Sequence, residues 1–552
     1  PDVVLPGETG ESRFISLHPE AVDATAAVGA HRKTVYEYAV GGLFIQWTFR
    51  VFPDSPAIGY TIAFKGKPTG DWGGGLVNAA DLGNVENTRA LALGAGESPT
   101  LARLALPGVH YRITASEFID ITDFRDNVYS ERSVLPYRAD IPLRGNLLVV
   151  QDPIRNRALY IVKDAPPTLA QVAYPGCDFL VRIDSIRTVG LGLAPGDIRP
   201  DVWTRGYGAV VGVCGGEPFD ILRSIRRFTD ALRIRRPDRD DMIMVNTWGD
   251  RGQDKNIGEA FALKEIDVAQ RIGATHFQLD DGWQSGRTSN SAFSGGSLEK
   301  IWSNPTYWTP HPERFPEGLD KVAAFARSKN IELCLWFNPS KDDEYDHWRD
   351  DANALVALYK QHGIRTFKID GVWIGSAAAT ENFRRFLDAV RAETNDEAVF
   401  NLDVTAGRRW GYHHLGIEFG NLFLENRYTD WGNYYPHRTL RNLWQLSRFV
   451  PPQNLQIEFL NIWRNADKYP KDDPLAPARI PFDYCFALTM PAQPLAWFEA
   501  SRLPSEAFDV STLIHEYRAL QADIHSGMIF PIGDEPDGTA WTGFQSVRAD
   551  GG

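Results

Sequence analysis

Two charged residues, Lys368 and Asp370, end an apolar run in the segment GIRTFKIDGVW, residues 363–373. If this run is a buried strand, residues two apart project to the same side, so the ammonium group and the carboxylate share one face. Such a pair is either a solvated or ion-paired strand end, or a pair of groups that does chemistry. The other strand ends of the chain decide between these interpretations.

Eight short apolar runs follow one another in the second part of the chain, with helical stretches between them. The runs cover 242–248, 276–281, 331–337, 366–370, 399–404, 421–425, 455–460 and 494–498. Nearly continuous apolar strands that alternate with helices indicate a parallel sheet covered by helices. Eight such repeats in about 260 residues predict a closed (β/α)8 TIM barrel.

The chain of 552 residues is too long for one ordinary core, and its texture changes along its length. Residues 1–215 consist of short β-rich runs between turn residues, which predicts an N-terminal antiparallel β-sandwich. Residues 216–239 form a helical linker, and residues 240–526 contain the predicted barrel. In residues 527–552 a hairpin-like pattern begins, so either a small C-terminal β-domain starts here or the sequence is cut inside one.

Carboxylates, amides and Trp residues stand at the ends of the predicted barrel strands, where a TIM barrel holds its chemistry. In strand order they are Asn246, Thr247 and Trp248; Asp280, Asp281 and Trp283; Trp336 and Asn338; Lys368 and Asp370; Asp403; Glu425; Asn461 and Trp463; and Trp497 and Glu499. One charged strand end is compatible with a solvated terminus, but a set that converges on one rim predicts a functional site. Glycoside hydrolysis fits this set, because it needs paired carboxyl groups, polar partners for sugar hydroxyls and aromatic faces for the sugar ring.

Other classes of function fit less well. The net charge of -13 argues against a nucleic-acid partner, and no apolar run is long enough to span a bilayer. The sequence contains no GxSxG nucleophile elbow and no GxGxxG cofactor turn. His413, His414 and Glu418 in YHHLGIE lack the HExxH spacing, and the four cysteines form no CxxC, so neither a metal nor a cofactor is predicted. The sequence does not fix the compartment; the start at Pro1 suits a processed product, and a periplasmic or secreted location is favoured over a cytoplasmic one.

The segments HFQLDDGWQ, FPEGLDKVAAFARSKNIELCLWFNP and TFKIDGV resemble the α-galactosidases and related α-glycosidases of glycoside hydrolase family 36, and more distantly those of family 27. The resemblance implies an N-terminal β-supersandwich, a (β/α)8 barrel and a small C-terminal β-domain. It also implies a retaining double displacement on terminal α-galactosides, with Asp370 as the nucleophile.

The resemblance implies roles for further residues of the rim. Lys368 would contact sugar hydroxyls, and Asp280 and Asp281 would bind the galactose 4- and 6-hydroxyls. The acid/base would be Asp430 in LENRYTDW, with Glu425 as the alternative. Five further residues are expected to bind substrate, namely Arg427, Trp248, Trp283, Trp336 and Asp403.

Two departures from the family pattern leave the substrate open. Asn338 stands where the strand 3 motif usually has Glu, and the strand 5 loop reads DVTAGRRWG in place of a cysteine–serine–serine–glycine–glycine motif. In the family that loop lies near the sugar 2-position, so galactose and 2-amino or 2-acetamido sugars all remain candidates. Two other functions also stay open: a transglycosylase on the same barrel, and a carbohydrate-binding pseudoenzyme. An oligomer is compatible with this architecture.

Overall fold

The computed structural model describes most of the chain. The described residues are 3–70, 72, 99–108, 110–118, 129–249, 252–404, 410–411, 414–424 and 435–548. Among them, no helix combines the length and the apolar character that crossing a bilayer requires.

The N-terminal part consists of two antiparallel sheets. Its strands are β1 Ser12–Val22, β2 His31–Val40, β3 Leu43–Val51, β4 Ala57–Gly66, β5 Thr100–Ala105, β6 Arg112–Phe118, β7 Tyr129–Val134, β8 Ile141–Leu143, β9 Leu147–Asp152, β10 Arg157–Asp164, β11 Phe179–Val181, β12 Ser185–Val189 and β13 Thr204–Gly215. One sheet has the strand order β1-β2-β3-β4-β13-β10-β9-β6-β7 and the other β5-β12-β11-β8. Ile45, Phe64, Ile113, Phe179 and Ile186 belong to the buried core that both sheets share. The predicted antiparallel β-sandwich is confirmed.

An amphipathic helix, α1 Pro218–Leu232, connects this sandwich to the second part of the chain, and the short helix α2 Pro237–Asp240 follows it. The buried residues of α1 include Ile221, Ile225 and Phe228, which recur at helical spacing on one face. The ring of Phe228 meets that of Phe52, at the end of β3, edge to face with centroids 5.4 Å apart. The helix therefore buries its apolar face against the N-terminal sheet.

The second part of the chain forms a closed parallel barrel. Its strands are β14 Met244–Asn246, β15 His276–Leu279, β16 Glu332–Phe337, β17 Thr366–Ile369, β18 Val399–Asp403, β19 Gly420–Leu424, β20 Leu455–Phe459 and β21 Gln493–Trp497. Each strand pairs with the next in the chain, and Met244 of β14 pairs with Leu495 of β21 to close the ring. The eight-stranded TIM barrel predicted from the sequence is confirmed, strand by strand.

Helices cover the outside of this barrel, which explains why its strands are buried on both faces. They are α3 Glu259–Ile272, α4 Asp320–Ser328, α5 Trp348–His362, α6 Ala377–Glu393, α7 His414–Ile417, α8 Pro436–Leu446, α9 Phe482–Ala487 and α10 Ser511–Ser526. After α10 a hairpin of β22 Met528–Gly533 and β23 Thr542–Val547 forms the small C-terminal sheet.

An ion triad around the buried carboxylate of Glu418 joins the sandwich to the barrel. Glu418, which precedes β19, accepts from Arg50 of β3 at 3.0 Å and from Arg384 of α6 at 2.6 Å. Burial alone would raise the pKa of Glu418, but the two guanidinium groups hold that pKa well below its usual range. Glu418 is thus engaged in ion pairs. Of the two histidines considered with it as metal ligands, His413 lies outside the described residues and His414 begins α7.

Candidate active site

The carboxyl ends of β14, β15 and β17 are joined by a polar network centred on Asp280. The Oδ2 atom of Asp280 accepts from Asn246 Nδ2 at 2.7 Å and from Lys368 Nζ at 3.1 Å, and its Oδ1 accepts from the Asp281 N–H at 2.9 Å. Asn246 Nδ2 also donates to Gln278 Oε1 at 2.6 Å. The side chains of Lys368 and Asp280 are 2% and 1% exposed. The three N–H donors fix the orientation of this buried carboxylate.

Aromatic rings fix the other side of the Lys368 ammonium group. Its nitrogen lies 4.9 Å from the centroid of the Phe423 ring and 5.1 Å from that of the Trp497 ring. Both distances are within the range of cation–π attraction. The ammonium group is therefore a positioned cation inside the barrel mouth, and it forms an ion pair with Asp280.

Asp370 follows β17 directly, and two N–H donors hold its carboxylate. Trp336 Nε1 donates to Oδ2 at 3.1 Å, and the Gly371 N–H donates to Oδ1 at 2.5 Å. The main-chain N–H of Asp370 donates to Phe337 O at 3.0 Å, which ties the turn to β16. Both side-chain contacts stabilise a negative charge and set the direction of the carboxylate.

Trp283 supports this arrangement from the core side, and its contact with substrate stays a prediction. Its side chain is fully buried, and its indole N–H donates to Trp336 O at 2.8 Å. Its ring also packs near that of Trp308, with centroids 6.2 Å apart. Trp283 therefore positions Trp336, which in turn contacts Asp370.

Asp281, next to Asp280 in sequence, occupies a different electrostatic environment. Its carboxylate accepts from Gln284 Nε2 at 2.7 Å and from the hydroxyl of Thr288. Burial, with a smaller contribution from the charges of Asp280 and Asp254, raises its pKa to about 7, although the two hydrogen bonds act in the opposite direction. The carboxyl group of Asp281 thus titrates near neutral pH.

The structure places two more predicted residues at the same rim. Asp403 is the last residue of β18 and is buried. Trp248 is partly buried against the apolar cluster inside the barrel, and its main-chain N–H donates to Asn246 Oδ1 at 2.9 Å. The remaining candidates, Glu425, Arg427 and Asp430, and most of the strand 5 loop, residues 405–409, lie outside the described residues.

The sequence analysis did not single out Trp373, which stands three residues after Asp370. This side chain is 52% exposed, while its main chain is held at both ends. The Tyr345 hydroxyl accepts from the Trp373 N–H at 2.7 Å and donates to Trp373 O at 3.3 Å. Tyr345 itself adopts a φ of 65°, a strained value for a bulky residue. The loop after β16 therefore anchors the turn that carries Asp370; only its closeness in sequence to Asp370 pointed to Trp373.

Comparisons with known proteins agree with this architecture. No protein-family model matches the chain. The chain is 28% identical over 131 residues to a probable α-galactosidase C of Aspergillus terreus, which covers 22% of this chain and 15% of that protein. It is 27% identical over 119 residues to α-galactosidase Mel36A of Lactobacillus acidophilus, covering 22% and 13%. The matched part thus spans less than a sixth of either curated relative.

Solved structures show the same fold over nearly the whole chain. A family 36 α-galactosidase of Geobacillus stearothermophilus, solved with 1-deoxygalactonojirimycin, has a TM-score of 0.67 at 12% identity and covers 98% of this chain and 78% of its own. The α-galactosidase of Lactobacillus brevis also has a TM-score of 0.67 at 12% identity, with 98% and 75% covered. The resemblance to family 36 α-galactosidases is confirmed, and the chain shares their fold.

The raised pKa of Asp281 predicts a pH dependence of stability. The folded state binds this proton more tightly than an unfolded chain with the ordinary value of 3.8, so its contribution is complete below about pH 4 and is lost as pH rises towards 7. That contribution amounts to about 1.4 kcal/mol per unit of difference in pKa. Asp281→Asn stays neutral, so its melting temperature relative to wild type should rise between pH 4.5 and 7.5.

Thermal unfolding of both proteins across this range measures the difference. Asp267→Asn, which alters a half-exposed carboxylate on α3, serves as the matched control and should follow the wild-type curve with a constant offset. Parallel curves for Asp281→Asn and wild type would show that this carboxyl group does not titrate as inferred.

Proposed function

We propose that this chain is a retaining, exo-acting α-glycosidase that releases a terminal α-galactose or a 2-amino- or 2-acetamido-galactose. The observation that carries this proposal is the joint placement of two features at one end of a closed barrel. One is the Asp370 carboxylate with its two N–H donors, and the other is the buried Lys368–Asp280–Asn246 network. A nucleophilic carboxylate beside fixed polar partners for sugar hydroxyls suits glycoside hydrolysis. The likeness to α-galactosidases supports the galactose-type sugar.

In this proposal the reaction takes two displacements. A carboxylate oxygen of Asp370 attacks the anomeric carbon while the acid/base, Asp430, gives its proton to the departing glycosidic oxygen. Water then attacks the glycosyl-enzyme, Asp430 takes back a proton, and the Asp370 carboxylate is released. Such enzymes hold the two carboxyl groups roughly 5–5.5 Å apart, which is the separation expected for Asp370 and Asp430.

The expected roles of the side chains in sugar binding follow from their charge and protonation state. Lys368 donates to sugar hydroxyls, and Asp280, held by its donors, accepts from them. Asp281 donates when it carries its proton, below a pKa of about 7, and accepts when it does not. No step in this scheme needs a cofactor.

A panel of nitrophenyl glycosides tests the proposed function. The α-galactoside or its 2-amino or 2-acetamido analogue should be hydrolysed, whereas the α-glucoside and the β-galactoside should not, since the pocket would distinguish both the axial 4-hydroxyl and the anomer. Product analysis at high sugar concentration should give mainly free sugar. Predominant transfer products would indicate a transglycosylase, and binding without turnover of any member would indicate a pseudoenzyme.

The identity of the acid/base gives a second prediction. General acid assistance matters most for poor leaving groups, so Asp430→Ala should slow natural disaccharides by about 10²–10⁴-fold and largely spare dinitrophenyl glycosides. The basic limb of its pH–rate profile should also flatten. Glu425→Ala is the matched comparison and should affect all substrates alike. If Glu425→Ala shows the dependence on the leaving group and Asp430→Ala does not, the two roles are exchanged.

A further inference from the structure

Asn338, the first residue after β16, has a buried amide without a hydrogen-bond partner. Its side chain is 1% exposed. Within the part of the chain that the structure describes, it is the one buried amide side chain whose nitrogen and oxygen both lack a partner. Buried amides are almost always hydrogen-bonded, and an unpartnered one destabilises the folded state. The amide at this position therefore indicates a hydrogen-bond partner that the described part of the free protein does not supply.

The place of this amide connects it to the candidate nucleophile. Trp336 and Asn338 are two apart, so they project to the same side of the chain, and Trp336 donates to Asp370. Gly371, the residue after Asp370, has a φ of 64°, and a Cβ atom there would lie 1.9 Å from Asn338 Nδ2. The amide thus lies directly against the turn that carries Asp370, and only glycine leaves room for it.

An amide side chain can pair with the substituents of a sugar, whereas the turn beside Asn338 offers it no hydrogen-bond partner. Its N–H donates and its C=O accepts, which matches a hydroxyl or an acetamido group, since each of these does both. It adds no second negative charge beside Asp370, as a carboxylate would. The sugar whose anomeric carbon reacts with Asp370 must come within bonding distance of that carboxylate, and Asn338 lies against the next residue, Gly371.

We propose that Asn338 is a further substrate-binding residue, whose amide hydrogen-bonds the sugar unit that Asp370 attacks, the glycone. This inference rests on the proposed function. It predicts that the amide is unpartnered in the free protein and paired in the complex. Its removal therefore weakens binding of the glycone and relieves the free protein of an unpartnered polar group.

The variant Asn338→Leu, which keeps the size and removes the polarity, tests this. Its melting temperature should equal or exceed that of wild type, while kcat/KM falls about 10–100-fold. The loss should be the same for α-galactosyl fluoride, nitrophenyl α-galactoside and raffinose, because the contact is with the part that these substrates share.

The matched control is Gln493→Leu at the opposite end of the barrel, where the amide accepts from Met242 N–H and donates to Gln453 O, both at 2.8 Å. It should melt earlier and keep its kcat/KM.

Two results would overturn the inference. One is an Asn338→Leu protein that melts earlier yet keeps its kcat/KM, which would make the residue structural. The other is a loss confined to raffinose, which would place the contact on the leaving group. If wild type hydrolyses neither these substrates nor the nitrophenyl glycosides of 2-amino- and 2-acetamido-galactose, the proposed function fails; calorimetric titration with galactose and N-acetylgalactosamine then still tests the contact. Binding at least ten-fold weaker to Asn338→Leu supports it, and equal binding overturns it.

Discussion

The ion pair between Lys368 and Asp280 is the interaction on which the architecture of the site depends. Two nearly fully buried charges cost several kcal/mol each to remove from water. Their attraction offsets this cost only with good geometry and additional donors, which Asn246 and the Asp281 N–H provide. The partners come from β14, β15 and β17, so the network exists only when these strands are correctly in register. A shift of one residue would turn each charge towards the covering helices.

The orientation of Asp370 depends on a second chain of contacts that runs outward from the core. Fully buried Trp283 donates to the main chain of Trp336, and Trp336 donates to Asp370. On the far side, Tyr345 holds the main chain of Trp373. The carboxylate is therefore fixed by packed aromatic residues and strand ends, not by a mobile side chain. Preorganisation of this kind is what a nucleophile needs if it is to meet an anomeric carbon without further rearrangement.

The sequence predicted the order and type of the strands and helices better than the contacts of their side chains. Strand and helix periodicities depend on neighbours in the chain, so the eight barrel strands and the amphipathic helix α1 were readable, as was the clustering of polar residues at one rim. Asp280, which pairs with Lys368, is 88 residues away in the chain, and nothing local identifies it. Trp283 is fully buried although it follows a strand end at the rim, and nothing local in the sequence shows this burial. The raised pKa of Asp281 likewise follows from burial, which only the assembled barrel defines.

The identity of the nucleophile is the central claim, and covalent trapping tests it most directly. A 5-fluoro-α-galactosyl fluoride should react once with the protein and slowly release its sugar, so that the intermediate accumulates. Mass spectrometry of peptides should find one sugar on the segment that contains Asp370, and Asp370→Asn should remain unlabelled. Labelling of another carboxyl group, or NMR detection of the β-anomer as the first product from an α-galactoside, would contradict the account.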